Sequence, residues 1–223
     1  MNSNQPLRAA EPFEFATASY LVLIGNQSAT NLAELEQALG NCSDASIFYH
    51  TFQSLGRHHF LTEGFSNDFA QWVLASCNRP ALAEQMASLD IRDYVSLAEL
   101  RADLRRVIGE YCKSNTGAGS QSAFETFYFC ESVEEQVPLG HVAWTLEEFR
   151  DGLKQLAHGS LQFHFITSRL RLQLRTNDFS QWLSREMGFT ALAQKVNQID
   201  IYTTTLDKAR DAIIRLVEGE LVQ

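Results

Sequence analysis

Apolar residues recur at helical spacing along most of the chain. Thr30 and Asn31 precede Leu32, Leu35 and Leu39, a capping pair followed by apolar positions on one side of a helix. Thr145, Leu146, Phe149 and Leu153 repeat that arrangement further on. A second helix is predicted from Asp44 or Ser46 to about Arg57, carrying Tyr49, Phe52 and Gly56. Its counterpart from Ser160 is ambiguous: Leu161, Phe163 and Phe165 alternate as in a strand, whereas Phe163, Ile166 and Leu170 keep the helical period. Helix is favoured there, because equivalent segments should share a conformation. A third helix opens at Ser66-Asn67-Asp68, places Phe69, Trp72 and Val73 on one side, and resumes after Pro80 through Ala81 to Leu89. The fourth starts at Ser96 with Leu97, Leu100, Leu104, Val107 and Ile108, matched by Leu206, Ile213, Leu216 and Val217. Phe13 and Phe15, like Phe127 and Phe129, alternate with other residues, which allows short extended pieces at the head of each set of helices.

These correspondences are register-specific. Asn67 to Ile91 matches Asn177 to Ile201 without a gap, sharing Asn67, Asp68, Phe69, Gln71, Trp72, Ala81, Leu82, Ala83, Asp90 and Ile91. Phe13 to Arg57 matches Phe127 to Arg171, sharing Phe13, Phe15, Leu32, Glu34, Leu39, Ser46, His50, Ser54 and Arg57. Between the blocks the second copy is four residues shorter, and only the first keeps His58 and His59. The expected fold is therefore mainly α, a tandem duplication of two units of about four helices each with pseudo-two-fold symmetry. The expected boundaries are a loose arm over 1–11, a helical repeat over 12–112, a Gly/Ser-rich linker over 113–123 and a second repeat over 124–223.

Composition narrows the function classes. Hydrophobic residues at 45% and charged residues at 20% of 223 exclude a disordered chain. Eighteen Lys and Arg against 27 Asp and Glu give a net charge of −9, which repels a phosphate backbone and argues against nucleic-acid binding. The longest apolar run, Tyr20 to Ile24, is far shorter than the roughly 20 residues a membrane span needs, so a cytoplasmic protein with no membrane partner is expected. Cys42, Cys77, Cys112 and Cys130 lack close spacing and are expected as reduced thiols.

Three constellations could carry chemistry. His50, Ser54 and Arg57 fall on one helix face, His164, Ser168 and Arg171 repeat them, and Asp68 or Asp178 follows. Imidazole, hydroxyl and guanidinium together could hold an anionic ligand. Alternatively, Arg57 pairs with Asp68 and Arg171 with Asp178, leaving His and Ser to satisfy backbone groups. His50, His58 and His59 form a histidine cluster that could hold a transition metal with Asp68 or Glu63, though the three- or four-residue ligand spacing of metal helices is absent. Surface or capping roles are the competing reading. The repeated Asn-Asp-Phe-x-Gln-Trp is explained by capping and packing, save for Gln71 and Gln181, which could touch a partner or ligand. Finally, Tyr20-Leu21-Val22-Leu23-Ile24 has no apolar equivalent in the second copy, where Glu134 to Pro138 stand, and could serve as a partner or subunit interface.

The succession Pro12-Phe13-Glu14-Phe15, Ser46 to Phe52, His58-His59-Phe60-Leu61 and Asn67 to Val73 resembles an uncharacterised bacterial family, domain-of-unknown-function family 5752, over roughly residues 12 to 108. The second copy looks like a diverged version of the same unit. The resemblance implies no activity, substrate or cofactor, but gives weight to the His and Asn-Asp-Phe positions. No nucleophile elbow, phosphate loop or paired-Cys motif is present, so the expectation leans away from an enzyme. The expected function is a cofactor-free, regulatory binding module recognising a protein partner, a second copy of itself or a small anionic ligand between its repeats. The alternative is a metal-dependent enzyme built on His50, His58, His59 and Asp68.

Overall fold

A computed structural model of the chain describes residues 7–54, 65, 67–200 and 204–222. Two long strands dominate its topology: β1 (Arg8–Ala29) and β2 (Phe127–Thr145) pair antiparallel as a two-stranded sheet. Between them lie α1 (Leu32–Asn41), α2 (Asp44–Phe48), a π-helical turn over Tyr49–Gln53, α3 (Asp68–Ala75), α4 (Pro80–Ala87) and α5 (Leu97–Ser114). After β2 come α6 (Leu146–Gln155), α7 (His158–Gln162), a second π-helical turn over Phe163–Thr167, α8 (Ser168–Arg171), α9 (Asp178–Arg185), α10 (Thr190–Asn197) and α11 (Leu206–Leu221).

The strands correct the expected fold class. Antiparallel sheet takes up 20% of the described residues, so the protein is α with a long β ribbon, neither all-α nor a mainly α tandem duplication of two helical units. The physical reason lies in the strand sequences. Only the ends alternate inside and outside: Phe13 and Phe15 are buried with Glu14 exposed between them, as are Phe127 and Phe129 with Tyr128 between them. The middle of β1 is apolar and wholly exposed, and the middle of β2 reads Glu131 to Gln136 like a loop, so neither shows the period of two that marks a half-buried strand.

The domain boundaries also differ from those expected. The chain divides into a discontinuous unit, Met1–Ser19 with Glu134–Gln223, and a continuous unit, Tyr20–Val133. Each strand is thus divided between units. The Gly/Ser-rich stretch is not a free linker: Ala118 is buried, the Ala123 amide donates to the Thr30 carbonyl at 2.6 Å and the Phe124 amide to the Ser76 carbonyl at 2.8 Å. Of the expected N-terminal arm, residues 1–6 lie outside the described residues, while Arg8 to Glu11 already belong to β1.

In the continuous unit, local signals fix the helix starts. Asn31 caps α1 by accepting the Glu34 amide at 2.9 Å, and the Glu34 carboxylate answers by accepting the Thr30 amide and hydroxyl, both at 2.7 Å. The hydroxyl and amide of Thr30 hold that carboxyl below its ordinary range. Ser43 caps α2 through the Ser46 amide, so the cap lies just ahead of the two expected candidates. Asn67 caps α3, and Ser96 caps α5. Their apolar faces bury Leu35, Leu39, Phe48, Phe69, Val73, Met86, Leu104 and Ile108 around Phe127 and Phe129 of β2. Burying each such side chain stabilises the fold by roughly 1.5–3 kcal/mol.

The discontinuous unit follows the same logic. Thr145 and Glu148 form a reciprocal capping box on α6, Asn177 caps α9 and Thr205 caps α11. Phe149, Leu153, Leu161, Phe163, Phe165, Phe179, Leu183, Val196 and Ile213 close around Phe13 and Phe15 of β1. Gly152 is required at one contact, since a β-carbon there would fall inside the Phe15 ring. Among the described residues no helix is long and apolar enough to cross a membrane.

Candidate functional site

The repeated histidines sit at the second position of each π-helical turn, and each hooks a strand. In the continuous unit the His50 Nε2 accepts the Cys130 backbone amide of β2 at 2.8 Å, while Nδ1 lies 2.9 Å from Asp68 Oδ2. An amide can only donate, so Nε2 must carry the lone pair; Nδ1 then holds the proton and donates to the carboxylate. In the discontinuous unit the His164 Nε2 accepts the Ala16 amide of β1 at 2.9 Å, and Nδ1 donates to Asp178 Oδ2 at 2.9 Å. Both imidazoles are buried and ringed by aromatics: Phe69 and Phe127 in one unit, Phe13 and Phe179 in the other.

Further bonds pin the same strand ends. The Trp72 Nε1–H donates to the Glu125 carbonyl at 2.8 Å, and the Trp182 Nε1–H donates to the Glu11 carbonyl at 2.9 Å. Ser132 of β2 donates to Gln53 Oε1 at 2.7 Å. The Asn-Asp-Phe-x-Gln-Trp motif is therefore a strand clamp: Asn caps the helix, Asp orients the histidine, Phe packs on the ring and Trp holds the strand carbonyl. Sequence reasoning identified the histidine, aspartate and motif positions but not their strand partners. A signal was present: Glu11-x-Phe13-x-Phe15 recurs as Glu125-x-Phe127-x-Phe129.

The candidate ligand residues are distributed as follows. Ser168 accepts the Asp178 amide at 3.2 Å and donates to the His164 carbonyl at 2.6 Å, so it does not face the imidazole as a nucleophile would. Ser54 likewise donates to the backbone, to the His50 and Thr51 carbonyls. Arg171 reaches Asp178 at 2.9 Å and lies 3.9 Å from Glu134. His164, Ser168, Arg171 and Asp178 are thus brought together as a network of mutually satisfied groups. Arg57, His58, His59 and Glu63 lie outside the described residues. His50 has both ring nitrogens engaged, which leaves no lone pair for a metal ion, and no group of three His, Cys, Asp or Glu converges among the described residues. Burial pushes the Cys42 and Cys112 thiols up, and that of Cys77 to about 11, so these three remain protonated at neutral pH and are poor nucleophiles.

Two surface features remain. Every residue from Tyr20 to Asn26 is exposed, with Leu21 63% and Ile24 71% accessible. In the discontinuous unit a cleft of about 450 Å³ opens beside His164, bordered by Arg171, Gln181 and Arg185 and by Glu11 and Glu14. Glu134, 3.9 Å from Arg171, presents a buried Oε2 with no hydrogen-bond partner; burial pushes its carboxyl above the ordinary range, Arg171 opposes the shift and Asp178 adds to it.

The family model described as a family of unknown function, DUF5752, matches residues 10–218. A solved structure described as that of OrfY from Thermoproteus tenax is similar at 29% identity, with a TM-score of 0.82, over 95% of this chain and 96% of that one. No curated protein matches the chain.

Proposed function

Since the chain belongs to DUF5752, a family whose description assigns no activity, we propose from the geometry that it is a non-catalytic, cytoplasmic binding module that docks a protein partner on the exposed apolar segment of β1. The observation that carries this reading is the exposure of Tyr20 to Ile24 in a two-stranded sheet. An isolated two-stranded ribbon is marginal in water, and five consecutive apolar residues on it form a surface that gains stability when covered. A free strand edge also offers unpaired backbone groups to an incoming strand. The net charge of −9 favours a partner carrying basic groups over a second copy of the same acidic chain. The paired state of the His164 network supports a scaffolding role for those residues rather than contact with the partner. The arrangement of His, Asp and strand amide in both units also supports reading the second as a diverged version of the first.

The test is affinity purification of the tagged full chain, with light scattering of the eluted complex, for the natural sequence and for Leu21→Glu/Ile24→Glu. The double variant should keep its melting temperature, because both side chains are solvent-exposed, and lose the stoichiometric partner. Retention of the same partner by the variant would sink the reading.

A further inference from the structure

The pair α9 and α10 carries a second feature that the docking surface does not use. A cavity of about 280 Å³ lies along these helices in the discontinuous unit, and its lining combines two arginines, Arg175 and Arg185, with hydroxyl and amide side chains and no carboxylate. In a chain with nine more acids than bases, such a lining is unexpected. Neither guanidinium forms an ion pair or hydrogen bond with any described residue, and both are exposed at the cavity. Ser180, also in the lining, is 3% exposed, yet its hydroxyl has no hydrogen-bond partner. Buried hydroxyls are satisfied in the great majority of cases, so one left open beside two unpaired cations marks a place where an acceptor is missing.

The equivalent helices of the continuous unit show that the fold does not require this chemistry. In the ungapped match of Asn67–Ile91 to Asn177–Ile201, Ser180 stands where the other unit has Ala70, Ser184 where it has Leu74, and Arg185 where it has Ala75. Asn197 stands opposite Ala87 and Gln194 opposite Glu84. One helix pair is therefore furnished with donors that the other lacks, while the packing residues Phe179, Trp182, Leu192 and Ala193 retain their type. The mouth is also built with effort. Gln173 and Leu174, neither of them glycine, adopt φ of 53° and 62°, a left-handed pair that turns the chain into Arg175. Asn197 fixes the result by donating to the Arg175 carbonyl at 3.1 Å, and its own carbonyl accepts from the buried Arg169 guanidinium at 3.2 Å.

The geometry points to a binding site for a small phosphoryl-bearing anion in this cavity, with Arg175 and Arg185 neutralising the oxygens and the Ser180 hydroxyl donating to one of them. Guanidinium forks match phosphate oxygens, and the Gln194 amide and Ser184 hydroxyl suit a hydroxylated remainder. The volume admits a compact molecule rather than a polymer.

The full chain would be titrated with inorganic phosphate and with glycerol phosphate, read by amide chemical shifts, with chloride added to the control at equal ionic strength. The expected result is saturable shifts confined to residues near Ser180 and Arg185, absent with chloride. Arg175→Gln/Arg185→Gln should weaken binding at least tenfold, and Ser180→Ala several-fold with an unchanged melting temperature. Tighter binding of the ester than of inorganic phosphate identifies a phosphorylated metabolite as the occupant; equal binding identifies free phosphate. Absence of a saturable response in the natural sequence, or undiminished affinity in the double arginine variant, would overturn the proposal. Because Ser180→Ala reproduces a residue the other unit already accommodates, a folding failure cannot disguise the outcome.

Discussion

The two units share a mechanism for holding a strand and differ in what they display around it. In each, a histidine in a π-helical turn accepts a strand amide, an aspartate fixes its tautomer, and a tryptophan caps a strand carbonyl. The strand ends that are gripped lie far from the helices in sequence: Cys130 is 80 residues from His50, and Ala16 is 148 from His164. Around this common clamp, the continuous unit carries the exposed apolar run of β1, and the discontinuous unit carries the arginine-lined cavity. The lesson is that residues retained in both units serve the clamp, and residues that differ are where to look for binding.

The largest effect is expected where the units differ inside their cores. Gly152 corresponds to Ala38, and a β-carbon at Gly152 would fall inside the Phe15 ring. Gly152→Ala must displace Phe15, which is 1% exposed, and should cost about 1–3 kcal/mol as overpacking. Ala38→Gly removes only a methyl group from a helix and should cost about 1 kcal/mol. Urea unfolding of the two variants measures both; no loss in Gly152→Ala would show that Phe15 can move aside freely.

The clamp itself gives the next effect, and here the units should agree. His50→Ala and His164→Ala each remove the acceptor of a strand amide and one of the donors to an aspartate carboxylate, at a cost of about 1–3 kcal/mol for the unsatisfied amide. The Asp178 carboxylate keeps Arg171 in the His164 variant. Hydrogen exchange at Cys130 in one variant and at Ala16 in the other should accelerate selectively. Unchanged protection at both amides would show that the histidines are not what holds the strands.

Much of this was legible in the sequence and some was not, for reasons the residues make plain. The helices were readable because cap and periodicity agree: Asn31 before Leu32, Asn67 before Asp68 and Thr145 before Leu146 all initiate helices as their side chains predict. The His, Ser and Asp positions stood out because they recur in register. The ribbon was not readable, because its middle is exposed and therefore free of the alternation that burial imposes. The non-contiguous units were not readable either, because local pattern does not say which helices a strand end will join. The cavity escaped notice because Ser180, Ser184 and Arg185 are unremarkable on a helix surface until an unpartnered, buried hydroxyl shows that one of them faces inward.

The smallest expected effect separates the units by pH. Glu134, where the strand enters the discontinuous unit, keeps a buried oxygen without a partner, and burial is the main cause that raises its carboxyl above the ordinary range. The folded state thus binds its proton more tightly than the unfolded chain does. Stability from this group is fully present below the ordinary carboxylate range and is lost as pH rises through the raised value of the folded state. Glu134→Gln keeps the shape and removes the charge that must be ionised in a partly buried place. Arg171 retains Asp178, so no cation is stranded. The variant should melt slightly higher than the natural sequence at neutral pH, and the difference should vanish below the ordinary carboxylate range. Tyr20, in the same alignment position in the other unit, carries no carboxyl, so Tyr20→Phe should show no such pH-dependent gap. A gap that persists unchanged in acid would mean that the glutamine acts through packing, and that the ionisation of Glu134 costs the fold nothing.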